Sequence, residues 1–319
     1  MKVLIIQTAF LGDAILMSSM VESIANQISD VEIHVLVRSG HGSLYTNHPN
    51  VGKVWEFDKR KKKLQNIFEL GKLLKKESFN VVFNCHRYAS SGLIACLTGV
   101  KTIIGFKKNP LSVFFNKSVS HELKSGWHEL DRNHLLLKAF WPGLKLFPPK
   151  LYPTWLQKQK AENIMNGNDF IIIAPSSVWY TKQYPIEGWR KLIARLSSFK
   201  IILIGVKSDF ETCEKIAKGF DNVASLAGQL NLLESVALIA KAQKVYACDS
   251  APTHMASSVN VETHTVFCST TSEFGFGPVS NNSFIHQTNE KLDCRPCGIH
   301  GKKECPLGHF KCSKFEIEV

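Results

Sequence analysis

Short apolar runs, rich in β-branched residues, alternate with longer amphipathic stretches along most of the chain. In the first half we predict strands at residues 3–6, 32–37, 54–57, 80–84 and 101–104, with helices such as 64–76 and 90–97 between them. The alternation returns in the second half, with predicted strands at 170–174, 201–204, 223–225, 244–248 and 263–267 and helices at 188–197, 210–218, 232–240 and 253–259. This pattern predicts an α/β protein built on doubly wound parallel sheets.

A proline-rich stretch interrupts this alternation between Pro142 and Pro153, and a predicted helix at 155–165 follows it. A chain of 319 residues also exceeds the size of one ordinary core. We therefore predict two Rossmann-like domains, residues 1–152 and 153–319. Two such halves on one linker imply a cleft, which is a common place for a ligand.

The chain is basic, with 39 Lys and Arg against 27 Asp and Glu and a formal net charge of +12. This charge favours acidic partners: nucleotides, phosphorylated lipids, an anionic membrane face or nucleic acid. The densest basic cluster, residues 59–63, is either a solvated loop or a patch for phosphates and lipid headgroups. No apolar stretch has the length of a membrane span or the form of a signal peptide, so we expect a cytoplasmic protein, resting at most on the inner membrane surface.

The turn Leu11-Gly12-Asp13-Ala14 lies where the buried strand 3–6 gives way to a helix. Ligands of open α/β sheets bind at the carboxyl ends of strands, so this turn places Asp13 where chemistry is expected. Asp is also a favoured helix N-cap. From the local pattern, a capping role and a chemical role both remain open.

Two motifs of the second half also follow predicted strands. Ser176, Ser177 and Lys182 come after strand 170–174 and form either a polar loop or an anion site in which lysine supplies the charge and the hydroxyls supply donors. The segment from Asp249 to His254 begins a helix whose N-terminus suits an anion. Its alternative is a capped helix with the histidine packed in the core. No strand is followed by Gly-x-Gly-x-x-Gly, which disfavours a dinucleotide dehydrogenase.

Four of the nine cysteines cluster in a tail at residues 294–312, namely Cys294, Cys297, Cys305 and Cys312. In a cytosolic protein such clustering favours metal over disulfides, and four thiolates would form a closed structural zinc site. Reduced, packed cysteines are the alternative, and the sequence leaves both open.

The segments IIQTAFLGDAIL, HELDRN, IIIAPSSVWYTKQYP and NVASLAGQLNLLESVALIAKAQKVYACDSAPTHMA occur in an order that resembles glycosyltransferase family 9, the heptosyltransferases of the lipopolysaccharide inner core. The resemblance covers nearly the whole chain, and the tail CRPCGIHGKKECPLGHFKC resembles that of the subgroup adding the second heptose. It implies the GT-B fold, with the acceptor bound mainly by the first domain and the nucleotide sugar mainly by the second. It also implies catalysis without a metal cofactor.

The resemblance further implies roles for individual residues. Asp13 matches the catalytic aspartate, which acts as general base on an acceptor hydroxyl while ADP departs from a heptose, with inversion. The residues expected to bind the donor are Ser176, Ser177, Lys182, Asp249, Ser250, Ala251 and His254. For the acceptor the resemblance gives no residue list. The candidates come from their positions: Gly12 beside Asp13, Lys59 and Arg60 in the basic cluster, and Arg87 after strand 80–84, which are either acceptor contacts or loop residues. Ala251 and Gln7 stand where the family usually has glycine and arginine.

The implied partners are ADP-heptose and a phosphorylated, lipid-linked acceptor of the lipid A–Kdo/heptose type, met at the inner membrane surface. A helix N-terminus favours the anionic carboxylate, so the position of Asp13 predicts a weak base. One alternative keeps the family with another sugar donor or an acceptor outside lipopolysaccharide. A remote alternative is a basic nucleic-acid-binding protein that uses the lysines of 59–63 with Trp55 and Phe57 nearby.

Overall fold

The computed structural model describes residues 1–123, 126–165, 167 and 169–319. The chain divides into two compact units, Met1–Tyr152 and Pro153–Val319, termed here the N-terminal and C-terminal units. Each unit carries one six-stranded sheet in which every strand pairing is parallel. The predicted α/β class with parallel sheets is confirmed.

The described residues of the N-terminal unit form six strands and four helices. In chain order they are β1 (Lys2–Gln7), α1 (Leu11–Ala25), β2 (Glu32–Arg38), β3 (Val51–Phe57), α2 (Lys63–Lys75), β4 (Val81–Asn84), α3 (Ala89–Leu97), β5 (Ile103–Phe106), β6 (Lys117–Val119) and α4 (Glu129–Lys138). The sheet order is β3-β2-β1-β4-β5-β6. The four apolar residues of β1 from Val3 to Ile6 are fully buried, as a central strand covered on both faces requires.

The C-terminal unit repeats this arrangement with six strands and five helices among its described residues. In chain order they are α5 (Trp155–Met165), β7 (Phe170–Ala174), α6 (Ile186–Arg195), β8 (Lys200–Leu203), α7 (Phe210–Ala217), β9 (Val223–Ser225), α8 (Leu232–Ile239), β10 (Lys244–Cys248), α9 (Ala251–Ser258), β11 (Glu262–Phe267) and β12 (Ser283–Gln287). The sheet order is β12-β11-β10-β7-β8-β9, so β7 occupies the place that β1 has in the first sheet.

In both sheets the strand order reverses beside the first strand, between β1 and β4 and between β7 and β10. Open α/β sheets bind ligands at the carboxyl ends of the strands at such a reversal. The register places Ile6 opposite Asn84 and Ala174 opposite Ala247, so the loops after these strands leave from common edges. Asp13 lies at the first of these edges, and Lys182 and Asp249 lie at the second.

Two strands and one helix were not predicted. β6 and β12 are short and lie at the sheet edges, and several of their residues are exposed, so they lack the apolar run that marks a buried strand. α4 is the helix of the HELDRN segment, and charged side chains at its start obscure its apolar face. Among the described residues, no helix combines the length and apolar character needed to cross a lipid bilayer.

Candidate active site

Asp13 lies in the first turn of α1, at the carboxyl end of β1. The residue that caps the helix is Phe10, and Asp13 is the third helical residue. Its Oδ2 accepts a hydrogen bond from the backbone N–H of Phe10 at 3.2 Å. The interpretation of Asp13 as the N-cap is therefore wrong, because Phe10 holds that position. The Asp13 carboxylate nevertheless accepts a hydrogen bond from a backbone N–H at the helix start.

The environment of Asp13 makes its carboxyl a stronger base than the helix N-terminus alone predicts. Burial raises the pKa of Asp13 to about 7, and the negative charge of Glu129 adds to the rise. The N–H of Phe10 and the charge of Arg87 act in the opposite direction and are outweighed. The expectation of a weak base is thus wrong, since desolvation of the carboxylate exceeds the stabilisation from the helix end. A carboxylate with this pKa suits proton abstraction near neutral pH.

Glu129, the first residue of α4, belongs to a buried cluster of charged groups. Its Oε2 accepts a hydrogen bond from Arg132 Nε at 2.7 Å and lies 3.1 Å from His121 Nε2. Burial by itself raises the pKa of Glu129, but the hydrogen bonds and charges of His121 and Arg132 lower it overall. Glu129 therefore stays ionised and keeps a negative charge acting on Asp13. No role was predicted for this glutamate, although its place in the HELDRN segment was a signal.

Glu129→Gln is expected to move the pH dependence of activity. In the native protein kcat/KM should rise with pH through about 7 as Asp13 loses its proton. Removing the charge of Glu129 stabilises the Asp13 carboxylate, so this midpoint should move down by about one unit. The measurement is kcat/KM against pH at fixed ionic strength.

The matched control for this change is Glu77→Gln, which neutralises a glutamate bonded to Lys2 at the opposite end of β1. Its midpoint should stay near that of the native protein. A folded Glu129→Gln protein with an unmoved midpoint would remove Glu129 from the control of Asp13.

Basic side chains surround this edge of the N-terminal sheet. Arg38 is the last residue of β2, Lys59 follows β3 and Arg87 follows β4. Burial, and then the charges of Arg38 and Lys63, lower the pKa of Lys59 to about 8, while Asp13 raises it. The Asp13 carboxyl therefore lies among cations, which attract anionic groups to this edge.

Of the four predicted acceptor residues, the structure places Gly12, Lys59 and Arg87 at this edge. Arg60 is exposed, its backbone N–H donates to Asp58 Oδ1 at 2.7 Å, and the described residues show no contact between it and Asp13. The sequence missed Arg38, which could have been found from its place directly after a buried strand.

Two further polar side chains shape the turn after β1. Burial lowers the pKa of His86 to about 3, and its Nδ1 lies 3.0 Å from Thr8 Oγ1, so it is a neutral hydrogen-bonding group. Gln7 is also buried, and its Oε1 accepts a hydrogen bond from the N–H of Ala9 at 3.2 Å. Gln7 thus serves the backbone of the turn that leads to Asp13.

The corresponding edge of the C-terminal sheet is organised around Asp249, which follows β10. Its Oδ2 lies 2.7 Å from Lys182 Nζ and accepts a hydrogen bond from Thr270 Oγ1 at 2.6 Å. These side chains come from the loops after β7, β10 and β11, three neighbouring strands. The structure therefore brings together Lys182 and Asp249, which the sequence singled out separately, and adds Thr270, which it missed.

The remaining predicted donor residues lie in the loop after β7 and in the first turns of α9 with its N-cap. Ser176 and Ser177 are half-buried after β7, and Ser250 caps α9 with its backbone while its Oγ donates to Cys248 O at 3.2 Å. Ala251 is the first residue of α9. His254 is buried, as the packed-histidine interpretation requires, and its contact with a donor stays a prediction.

The cysteine tail packs against these same loops. Arg295 Nε donates to Cys268 O at 2.7 Å and its Nη2 donates to Thr270 O at 2.8 Å. The backbone N–H of Lys302 donates to Thr181 Oγ1 at 2.8 Å, directly beside Lys182. The tail thus braces the loop that carries Lys182 and the loop that carries Thr270, the residue that donates to Asp249. The sequence did not reveal this role, because it depends on contacts between distant segments.

All four tail cysteines are free thiols. Cys294 Sγ lies 3.9 Å from His309 Nε2, and burial followed by the nearby thiol of Cys297 raises the pKa of Cys312 to about 11. Within the part of the chain that the structure describes, no three His, Cys, Asp or Glu side chains are arranged to hold a metal ion. Zinc at Cys294, Cys297, Cys305 and Cys312 stays a prediction.

Two doubly wound sheets, each with its polar groups at the edge where the strand order reverses, form the architecture of the GT-B glycosyltransferases. The chain matches the model of glycosyltransferase family 9 (heptosyltransferase) over residues 67–309, most of its length. It belongs to this family of enzymes. The predicted family and fold are confirmed.

Individual relatives agree with this assignment. The chain is 23% identical over 313 residues to lipopolysaccharide heptosyltransferase 1 of Pseudomonas aeruginosa, covering 93% of this chain and 86% of that protein. The solved structure of E. coli ADP-heptose LPS heptosyltransferase II matches with a TM-score of 0.79 at 18% identity, over 93% of this chain and 96% of the other. E. coli heptosyltransferase WaaC with ADP-2-deoxy-2-fluoro heptose matches with a TM-score of 0.72 at 18% identity, over 90% and 93%.

Proposed function

We propose that this protein is an inverting heptosyltransferase that moves a heptose from ADP-heptose to the lipid-linked inner core of lipopolysaccharide. The observation that carries the proposal is Asp13, a carboxyl with a pKa of about 7 among cations, at the strand-order reversal of a family 9 chain. The lipopolysaccharide heptosyltransferases among its relatives, and the ADP-sugar bound to one structural neighbour, support the donor and the acceptor.

Asp13 acts in this proposal as the general base. Its carboxylate takes the proton of an acceptor hydroxyl, whose oxygen forms a bond to the anomeric carbon of the heptose. The bond from that carbon to the phosphate oxygen breaks and ADP leaves with the electron pair. A single displacement of this kind inverts the anomeric configuration. The pKa of about 7 suits a general base. Just above neutral pH the Asp13 carboxyl is largely ionised, and its proton affinity is high enough to accept the proton of the acceptor hydroxyl.

Lys182 and Asp249 bind the donor in this proposal. The ammonium group of Lys182 has three N–H donors, and one of them points to Asp249. The other donors can bind a phosphate oxygen. The ion pair with Asp249 fixes the direction of the ammonium group. Thr270 in turn holds Asp249. Asp249 and Ser250 lie at the start of α9, where the helix dipole adds positive potential. Together these groups neutralise charge that develops on the departing diphosphate, so we expect no divalent metal to be required.

Arg38, Lys59 and Arg87 recognise the acceptor in this proposal. Inner-core acceptors are phosphorylated and acidic, and these three cations come from neighbouring strand ends around Asp13. Arginine suits such groups because its planar fork donates two parallel hydrogen bonds to a carboxylate or phosphate. We expect the protein to work in the cytoplasm on an acceptor anchored in the inner membrane.

Calorimetric titration of the purified protein with ADP, UDP and GDP tests the donor assignment. We expect ADP to bind more tightly than the other two nucleotides, since the proposed donor is an ADP-sugar. A preference for UDP or GDP would keep the family and contradict the heptose donor. Stronger binding to nucleic acid than to any nucleotide, with a steep loss of affinity in salt, would contradict the enzyme proposal.

A further inference from the structure

Five large apolar side chains of the N-terminal unit, each at least half exposed, lie on three successive segments. They are Leu64 (67% exposed), Phe68 (50%), Tyr88 (62%), Val113 (81%) and Phe114 (67%), termed here the apolar rim. Single exposed apolar residues are common on protein surfaces and need no explanation. Five such residues on segments that pack together indicate a surface that binds a partner.

The three segments lie on one face of the sheet. Helices α2 and α3 pack against each other, and Ile67 of α2 lies in a buried cluster with Ile94 of α3. Phe115, directly after the 3-10 turn Ser112–Phe114, belongs to the same cluster. The rim residues are therefore the outward-facing neighbours of one continuous core.

The same segments lie at the edge of the sheet that holds Asp13. α2 begins after the carboxyl end of β3, and Tyr88 follows the carboxyl end of β4. Asn109 Nδ2 donates to Tyr88 O at 3.0 Å, and Ser112 Oγ donates to the carbonyl of Lys107, which directly follows β5. The apolar rim is thus continuous with the edge that carries the proposed base.

Lysines flank the apolar side chains. On α2, Leu64, Phe68, Lys72 and Lys75 recur at the spacing of one helix stripe, and all four are exposed. Lys61, Lys62 and Lys63 lead into this helix, and Lys107 and Lys108 precede the Ser112–Phe114 turn; these five are also exposed. Apolar side chains surrounded by lysine match the two layers of a membrane surface, acyl chains below and anionic headgroups above.

We propose that the apolar rim and its lysines dock this protein on an anionic lipid bilayer. This proposal rests on the proposed function, because it supplies what a membrane-anchored acceptor requires: the sugar is presented at the bilayer surface, beside the edge that holds Asp13. Leu64, Phe68, Val113 and Phe114 enter the boundary between headgroups and acyl chains. The lysines contact the phosphates, and binding is therefore weakened by salt.

Vesicle cosedimentation of the full chain tests the surface. Native protein should bind vesicles of phosphatidylglycerol and phosphatidylcholine and not vesicles of phosphatidylcholine alone. The triple variant Phe68→Ser, Val113→Ser, Phe114→Ser should lose about tenfold or more in vesicle affinity, because three apolar groups no longer leave water. These side chains are exposed, so the thermal midpoint of unfolding should stay near the native value.

The matched control is Trp155→Ser, Leu156→Ser on α5, which removes two side chains of similar exposure from the C-terminal unit. The control protein should bind vesicles as the native protein does. Equal binding by the triple variant, or equal loss by the control, would overturn the docking surface. The docking surface would also be overturned if the native protein formed a dimer and did not bind vesicles, and if the triple variant were monomeric. The apolar rim would then be an interface with a second copy of this chain.

A soluble acceptor without acyl chains separates this proposal from the proposed function. With it, the triple variant should transfer heptose at the native rate. If the native protein transfers heptose to the soluble acceptor but does not bind anionic vesicles, only the docking surface is overturned. Vesicle binding as described, with no transfer to the soluble acceptor, would contradict only the proposed function.

Discussion

Replacing Asp13 with asparagine should reduce kcat by about a thousandfold and leave ADP affinity unchanged. Asparagine has the shape of aspartate, and its side-chain oxygen can still accept the N–H of Phe10, so the start of α1 is kept. It cannot take a proton from an acceptor hydroxyl, and loss of a general base costs about 10² to 10⁴ in rate. ADP affinity should hold, because the proposed donor groups belong to the C-terminal unit.

Asp131→Asn is a matched control for the structural part of this change. Asp131 is the third residue of α4, and its Oδ2 accepts the backbone N–H of His128 at 2.9 Å, the same capping geometry that Asp13 has in α1. Both variants lose one charge at a helix start, but only Asp13→Asn should lose turnover. Near-native kcat in Asp13→Asn, measured as ADP release with saturating acceptor, would exclude Asp13 as the base.

The second large effect is expected from Lys182→Met. Methionine keeps much of the length and apolar stem of lysine but removes the ammonium group that we assign to the donor phosphates. The buried carboxylate of Asp249 then loses its cation and repels the diphosphate, so kcat/KM for the donor should fall about a hundredfold. ADP affinity, measured by calorimetry, should fall as well.

Two further variants separate charge repulsion from lost binding. Lys182→Met with Asp249→Asn removes both charges, so it should recover part of any lost thermal stability without restoring kcat/KM. Lys191→Met changes an exposed lysine on α6 of the same unit and should leave ADP affinity intact. Native ADP affinity in Lys182→Met would refute the phosphate role.

The sequence predicted the positions of these residues better than their chemistry. The buried run of β1 and the turn at Gly12 were enough to place Asp13 at the carboxyl edge of a parallel sheet, because strand burial and helix periodicity are local properties. The proton affinity of Asp13 was predicted in the wrong direction. It depends on burial and on Glu129, a residue 116 positions further along the chain, and no local pattern contains that contact.

In the C-terminal unit, too, the positions of the residues could be predicted but their contacts could not. Lys182 and Asp249 could each be found after a predicted strand, but their ion pair depends on the pairing of β7 with β10, which a single sequence does not display. Thr270 and Arg295 were missed for the same reason. Arg295 lies in the tail whose cysteines predict a metal site, and its guanidinium contacts the loop after β11.

Transfer itself tests most directly whether this protein is an inverting heptosyltransferase with Asp13 as its base. Purified protein is incubated with ADP-heptose and a deacylated inner-core acceptor, and the product is analysed by nuclear magnetic resonance for the anomeric configuration of the new bond. We expect heptose transfer with inversion and release of one ADP for each bond formed. Retention of configuration would contradict a single displacement with Asp13 as base, and transfer only from a different nucleotide sugar would contradict the heptose donor.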